Sequence, residues 1–219
     1  MKFIYGLIIL LSFTPMPALA SDWNDLKAIE AIPAKKITSS TPIFSQKIEH
    51  NLPAGWKPVH ENTSAIDYIL EFVPNGETVE KWNTMFTIQG SKGTANKLSP
   101  KDFLTLAANM HVNICGNKTV FELLEKQTIS GFDAQSAVIG CGSIPKDHPS
   151  GMKKGMGEIA YYIAVKGTDD YYLFHKSMRG KEYDPKNPPL TKKNAEEFIA
   201  DFMPLRLCKK ESKPTECLQ

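Results

Sequence analysis

Past its first twenty residues the chain has no long hydrophobic run, so nothing in residues 21–219 is apolar enough to span a bilayer as a helix. It also lacks an excess of either charge: 26 lysines and arginines stand against 24 aspartates and glutamates, for a formal net charge of +2. A nucleic-acid partner needs a basic face to neutralise phosphates, and this balance argues against one. The lysine pairs at Lys153-Lys154, Lys192-Lys193 and Lys209-Lys210 have acids close by in sequence and read as solvated surface.

Motifs for chemistry are scarce as well. No C-x-x-C pair occurs, which removes the thioredoxin-type redox motif. His50, His60, His111, His148 and His175 are scattered, without an H-E-x-x-H helix, so neither a metal nor a cofactor is expected. There is no G-x-S-x-G elbow, and Gly140-Cys141-Gly142-Ser143 resembles a catalytic turn only superficially. The glycines from Gly151 to Gly157 do not match a Walker loop. Asp67, Glu71, Glu122 and Glu125 offer no pair that spacing selects for glycoside hydrolysis.

What is present starts with an export signal. Lys2 precedes the apolar run FIYGLIILLSF, and Ala18-Leu19-Ala20 fits signal-peptidase cleavage after Ala20. Pro15 and Pro17 interrupt the segment before it reaches membrane-spanning length. Residues 1–20 are therefore read as a signal peptide and 21–219 as one domain, periplasmic or secreted, with no membrane span after cleavage. Four cysteines in an exported chain read as two disulfides. Three pairings are open, and the one adopted is Cys115–Cys141 with Cys208–Cys217, the second closing a short loop over ESKPTE.

The alternation of side chains then sets the elements. Trp23 to Ile32 has helical spacing up to Pro33, and Ile43 to Leu52 reads as extended. Pro53-Ala54-Gly55 is a turn, and Trp56 to His60 a strand ended by the polar run from Glu61 to Ser64. IDYILEFV puts Ile66, Tyr68, Leu70 and Phe72 on one face, and WNTMFTIQG alternates in the same way. Ser99, Pro100 and Asp102 open a helix whose Phe103, Leu106, Met110 and Ile114 form the expected buried stripe, with Gly116-Asn117 as its stop. Val120 to Ile129 and Phe132 to Cys141 read as a hairpin turning at Ser130-Gly131.

IAYYIAVKGTDDYYLFHKSMRG, from Ile159 to Gly180, reads as a second hairpin. With Gly167 to Asp170 as its turn, Tyr162 stands opposite His175 and Lys166 opposite Tyr171. Both faces are then substantially apolar, as in a sheet covered on both sides. Two helices are available as cover, the one after Ser99 and one from Thr191 to Met203 that places Ala195, Phe198, Ile199 and Phe202 together. The fold class is α+β, an antiparallel sheet of about six strands with helices on both faces.

GWKPV, FVPNGETVEKWNTMFTI and GEIAYYIAVKGTDDYYLFHKSMRG resemble an uncharacterised family of small exported bacterial proteins. The order of elements is similar to the Mog1/PsbP-like fold, which includes periplasmic DcrB-type proteins. That resemblance implies an antiparallel sheet sandwiched between helices, and binding or accessory roles rather than catalysis.

The candidate ligand-binding residues are Tyr162, Tyr171, His175 and Arg179, where a titratable ring meets aromatic and cationic neighbours. The simpler reading is that these aromatics fill strand positions they favour in any sheet. The chain is expected to be a non-catalytic exported binding or accessory protein for an unknown protein or small-molecule ligand. Its contact surface would be the aromatic sheet positions or the loop from Pro145 to Gly157. The rival is a secreted hydrolase built near His175, with Asp169 as a partner. Asp169 and Asp170, in the turn, are expected to be solvent-exposed.

Overall fold

Turn chemistry and alternation produce two antiparallel sheets in the computed structural model, which describes residues 36–212. The signal peptide, the helix expected at Trp23–Ile32 and Cys217 lie outside the described residues.

The main sheet has seven strands: β3 (Trp56–Thr63), β4 (Asp67–Pro74), β5 (Thr84–Ser91), β6 (Thr119–Ile129), β7 (Phe132–Cys141), β8 (Met156–Lys166) and β9 (Tyr171–Lys181). Their spatial order is β3-β4-β5-β9-β8-β7-β6. A smaller sheet, ordered β1-β2-β10, is made by β1 (Lys36–Ile43), β2 (Gln46–Pro53) and β10 (Arg206–Lys209). The expected six strands thus become seven plus three. The Ile43–Leu52 segment is not one extended run, because Phe44 takes a positive φ of 52° and reverses the chain into a β1–β2 hairpin. β3 continues through Glu61, Asn62 and Thr63, since an edge strand tolerates polar side chains. Both outer strands are irregular, with register shifts between Pro58 and His60 in β3 and between Leu123 and Lys126 in β6.

The β6–β7 hairpin turns on Ser130 and Gly131, with φ of 52° and 82°; positive φ at both positions suits a two-residue hairpin turn. The β8–β9 hairpin has the expected register, with Tyr162 opposite His175 and Lys166 opposite Tyr171. Its two faces enter different cores. Tyr161, Ile163, Val165, Tyr172 and Phe174 pack with Ile43, Ile48 and Leu52 of the small sheet. The same core takes in Phe198 and Ile199 of the short helix α2 (Ala195–Ile199) and Phe202 of the 3-10 turn that continues it. Read as one helix from Thr191 to Met203, this segment is shorter, and all four expected residues of its apolar side are buried.

Ala160, Tyr162, Ala164 and Leu173 face the other way, against helix α1 (Pro100–Cys115). Ser99 caps α1 by accepting from the Asp102 N–H, and Pro100 occupies its first turn. The rotation of α1 departs from the expected stripe. Leu104, Ala108 and Cys115 are buried, whereas Leu106, Met110 and Ile114 are 52%, 68% and 46% exposed. Two features decide this. Ala137, Ala160 and Ala164 leave the sheet surface low, so the small side of the helix seats closest to it. The Cys115–Cys141 disulfide then ties the last residue of α1 to the end of β7, with Cα atoms 5.7 Å apart. Cys208 is also bridged, and the cysteine expected to pair with it, Cys217, is outside the described residues.

Candidate functional site

Register places three rows of side chains on the α1 side of the sheet, because directly opposed residues of an antiparallel pair share a face. One row runs Asp67, Ser91, Tyr171. The next runs Asn62, Ile69, Gln89, Leu173. The third runs His60, Glu71, Thr87, His175, Tyr162. The core contacts of α1 fall on β7 and β8, with Leu173 from β9. Beside it, the β3–β4–β5 part of this face forms the floor of a cavity of about 430 Å³, walled by Phe103 and Tyr171.

The four residues expected to bind ligand all point to this face, but they spread along it. Odd positions from Tyr171 to Arg179 on β9 cover eight residue steps, about 26 Å at strand rise. Tyr162 and His175 are brought together: their rings stack at 4.6 Å, and the edge of His111 from α1 meets Tyr162 at 6.3 Å. Burial drives the Tyr162 hydroxyl pKa well above its ordinary value, with Glu158 adding to the effect. Burial pulls His175 down to about 3, helped by the nearby His111. Its Nδ1 lies 3.1 Å from the Ser177 hydroxyl.

Tyr171 sits at one end of the row. Its ring stacks on Phe103 at 4.7 Å with planes 15° apart, and its hydroxyl donates to the Leu98 carbonyl at 2.6 Å. Burial, with Asp102 and Asp133 nearby, pushes that hydroxyl up to about 12. Arg179 sits at the other end, braced on every side. It pairs with Glu158 at 2.6 Å, donates to the Ser150 carbonyl and hydroxyl at 2.8 and 3.2 Å, and lies 3.6 Å over the Trp82 ring. These bonds hold down the Pro145–Gly157 loop. Asp147 adds to the restraint by accepting from Lys153 Nζ and the Lys154 N–H. A second cavity, about 210 Å³, opens between Arg179, Glu158, His111, Ile114 and the Cys115–Cys141 bridge.

The arrangement has chemical consequences. With a pKa near 3, His175 is neutral at physiological pH and too weak a base to activate a hydroxyl. Ser177 beside it is 1% exposed, so its hydroxyl does not meet substrate. Asp169 lies in the turn before Tyr171, and Tyr171 to His175 alone is four strand residues, about 13 Å. Asp170 corrects the expectation of an exposed turn: it is 2% exposed, and four donors converge on it. They are the Ser45 N–H at 3.1 Å, the Ser45 hydroxyl at 2.5 Å, the Gly93 N–H at 2.8 Å and the Tyr172 hydroxyl at 3.4 Å. Among the described residues no group of three or more His, Cys, Asp and Glu is placed to hold a metal ion, and no helix is long and apolar enough to cross a membrane.

Trp56 and Trp82 are used within the fold. Trp56 packs edge-on against Phe202 at 4.9 Å, and Trp82 joins Val73 and Met85 in a small cluster under Arg179. The cavity residues Asn62, Ile69 and Gln89 were not singled out from sequence. Their one signal is the polar alternate face of β4 and β5, where Asp67, Glu71, Thr87 and Gln89 interrupt the apolar pattern.

No protein-family model and no curated sequence matches the chain. Among solved structures, it is similar to the Ran-binding protein Mog1p of Saccharomyces cerevisiae, with 13% identity and a TM-score of 0.40 over 78% of this chain and 86% of that one. It is also similar to cyanobacterial PsbP from Synechocystis, with 11% identity and a TM-score of 0.43 over 78% and 88% of the two chains. Both carry the Mog1/PsbP-like fold that the order of elements resembled.

Proposed function

We propose that the chain is an exported, non-catalytic binding or accessory protein that works in the periplasm or outside the cell once residues 1–20 are removed. In this reading its architecture is a helix-flanked sheet, and its contact surface is the uncovered part of the α1 face. The observation that carries the proposal is the exposed apolar flank of α1. Leu106, Met110 and Ile114 stand exposed on the same helix whose Phe103 walls the cavity, where a domain stabilising only itself would place polar side chains. Of the four candidate residues, Tyr171 would wall the binding cavity and the Tyr162–His175 stack would set the edge of its floor. Arg179 would keep the adjoining loop in place. The bridged cysteines support export, since disulfides persist in oxidising compartments.

The test places a photo-crosslinking amino acid at position 110 of the exported chain, with position 126 on β6 as the control. Specific adducts are expected at 110 and not at 126, and they should disappear when Leu106 and Ile114 are both changed to serine. The proposal fails if position 110 stays silent while a panel of ester and phosphoester substrates reveals turnover that a folded His175→Ala variant abolishes.

A further inference from the structure

The cavity beside Phe103 has a more specific chemistry than the rest of its face. Four strands contribute its central row, in which Ile69 and Leu173 are apolar and Asn62 and Gln89 carry amides. An amide side chain both donates and accepts hydrogen bonds. Among the described residues, neither of these two amides bonds another side chain or the backbone, so both are free for a ligand. Phe103 stacked on Tyr171 closes one end with a flat apolar wall. Tyr171 is fully buried, its hydroxyl held by the Leu98 carbonyl, so it backs Phe103 and fixes the plane of that ring.

Charge narrows the ligand class. Among the described residues the lining contains no lysine or arginine, and Asp67 is its one acid. An anionic ligand would find no counter-charge there. An extended peptide normally joins a sheet through an unpaired edge. Here β4, β5 and β9 are interior strands with neighbours on both sides, and the free ladder of the edge strand β3 points outward in the plane of the sheet, not onto the cavity floor. The volume, about 430 Å³, falls within the range of about 300–1,000 Å³ usual for ligand pockets.

We propose that this cavity binds a neutral saccharide of one to three units, its apolar ring face against Phe103 and Leu173 and its hydroxyls on Asn62 and Gln89. This rests on the binding-protein reading and names the ligand class of that same face. A sugar ring is the ligand whose polarity matches: apolar on its faces, with hydroxyls around its rim that donate and accept as the amides do.

The test titrates the full exported chain with cellobiose, maltotriose and N,N′-diacetylchitobiose, using ligand-observed NMR and calorimetry. Glucose 6-phosphate and a trialanine peptide serve as competing probes. At least one neutral sugar is expected to saturate, and Gln89→Leu and Asn62→Ala should each weaken it about threefold to tenfold, the effect of one lost neutral hydrogen bond. Asn62 is exposed on an edge strand, so its variant keeps the test valid if Gln89→Leu misfolds. Saturation by a competing probe instead, by nothing, or with unchanged affinity in both variants overturns the assignment. The crosslink at position 110 would survive that outcome, which separates failure of the saccharide from failure of the binding reading.

Discussion

The imidazole of His175 lies 4.6 Å from the Tyr162 ring, with their planes 23° apart, at directly paired positions of β9 and β8. The stack fixes a neutral histidine inside the sheet, and the pH dependence of stability follows from it. Above its ordinary value of 6.5, His175 is neutral in both the folded and unfolded states. Below 6.5 the unfolded chain binds a proton that the folded chain refuses until about pH 3. Stability should therefore be complete above 6.5 and fall through the window from 6.5 to about 3. His50, buried between Phe72 and Phe86 and also lowered by burial, acts in the same direction. Urea melts between pH 7 and 4 check this, and a His175→Gln variant should flatten the slope by up to one proton.

Asp170 sets a second acid limit. Burial alone would raise its carboxyl, but the Ser45 and Gly93 donors, with Tyr172, outweigh that and hold it below its ordinary 3.8. Its contribution is present above 3.8 and lost as pH falls through the lowered folded value. Asp170→Ala should cost about 3 kcal/mol at pH 7, since several hydrogen bonds to a charged group vanish together. A loss below about 0.5 kcal/mol in denaturant melts would show that these bonds do not act as drawn.

The rotation of α1 makes paired mutations informative. Leu104→Ala removes a fully buried side chain and should cost about 2–5 kcal/mol. Met110→Ser, on the exposed flank, should stay within about 0.5 kcal/mol of the parent. Equal costs at the two positions in thermal melts would mean that the helix sits differently on the sheet.

The Cys115–Cys141 bridge closes a loop of sequence separation 26. Loop entropy assigns such a crosslink about 3–4 kcal/mol of stabilisation. Replacing both cysteines with alanine should lower the melting temperature accordingly and leave α1 free to fray at its last turn, as hydrogen exchange of the Val112 to Cys115 amides would show.

The β8–β9 hairpin was legible because eleven-residue strands alternate cleanly around one turn-rich tetrapeptide, so register and both faces follow together. The start of α1 was legible from Ser99, Pro100 and Asp102. Its rotation was not, because Phe103, Leu106, Met110 and Ile114 repeat at helical spacing as convincingly as any core stripe. Only the alanine surface of β7 and β8 and the cysteine tether decide against them. The Asn62–Ile69–Gln89 row was hidden for a different reason. β4 and β5 are joined by a long connection from Asn75 to Asn83, so no tight turn fixes which residues face each other. The burial of Asp170 depends on Ser45 and Gly93, both far away in the chain.

That separation carries a consequence for the order of folding. Ser45 is 125 positions from Asp170 and Gly93 is 77, whereas Tyr162 and His175 meet across a single hairpin. Local pairings close cheaply, and distant ones must wait until the chain between them has been gathered. The Asp170 carboxylate is thus a late latch, fastening the β1–β2 hairpin onto a sheet already assembled. In refolding experiments its removal should speed unfolding while leaving the folding rate nearly unchanged.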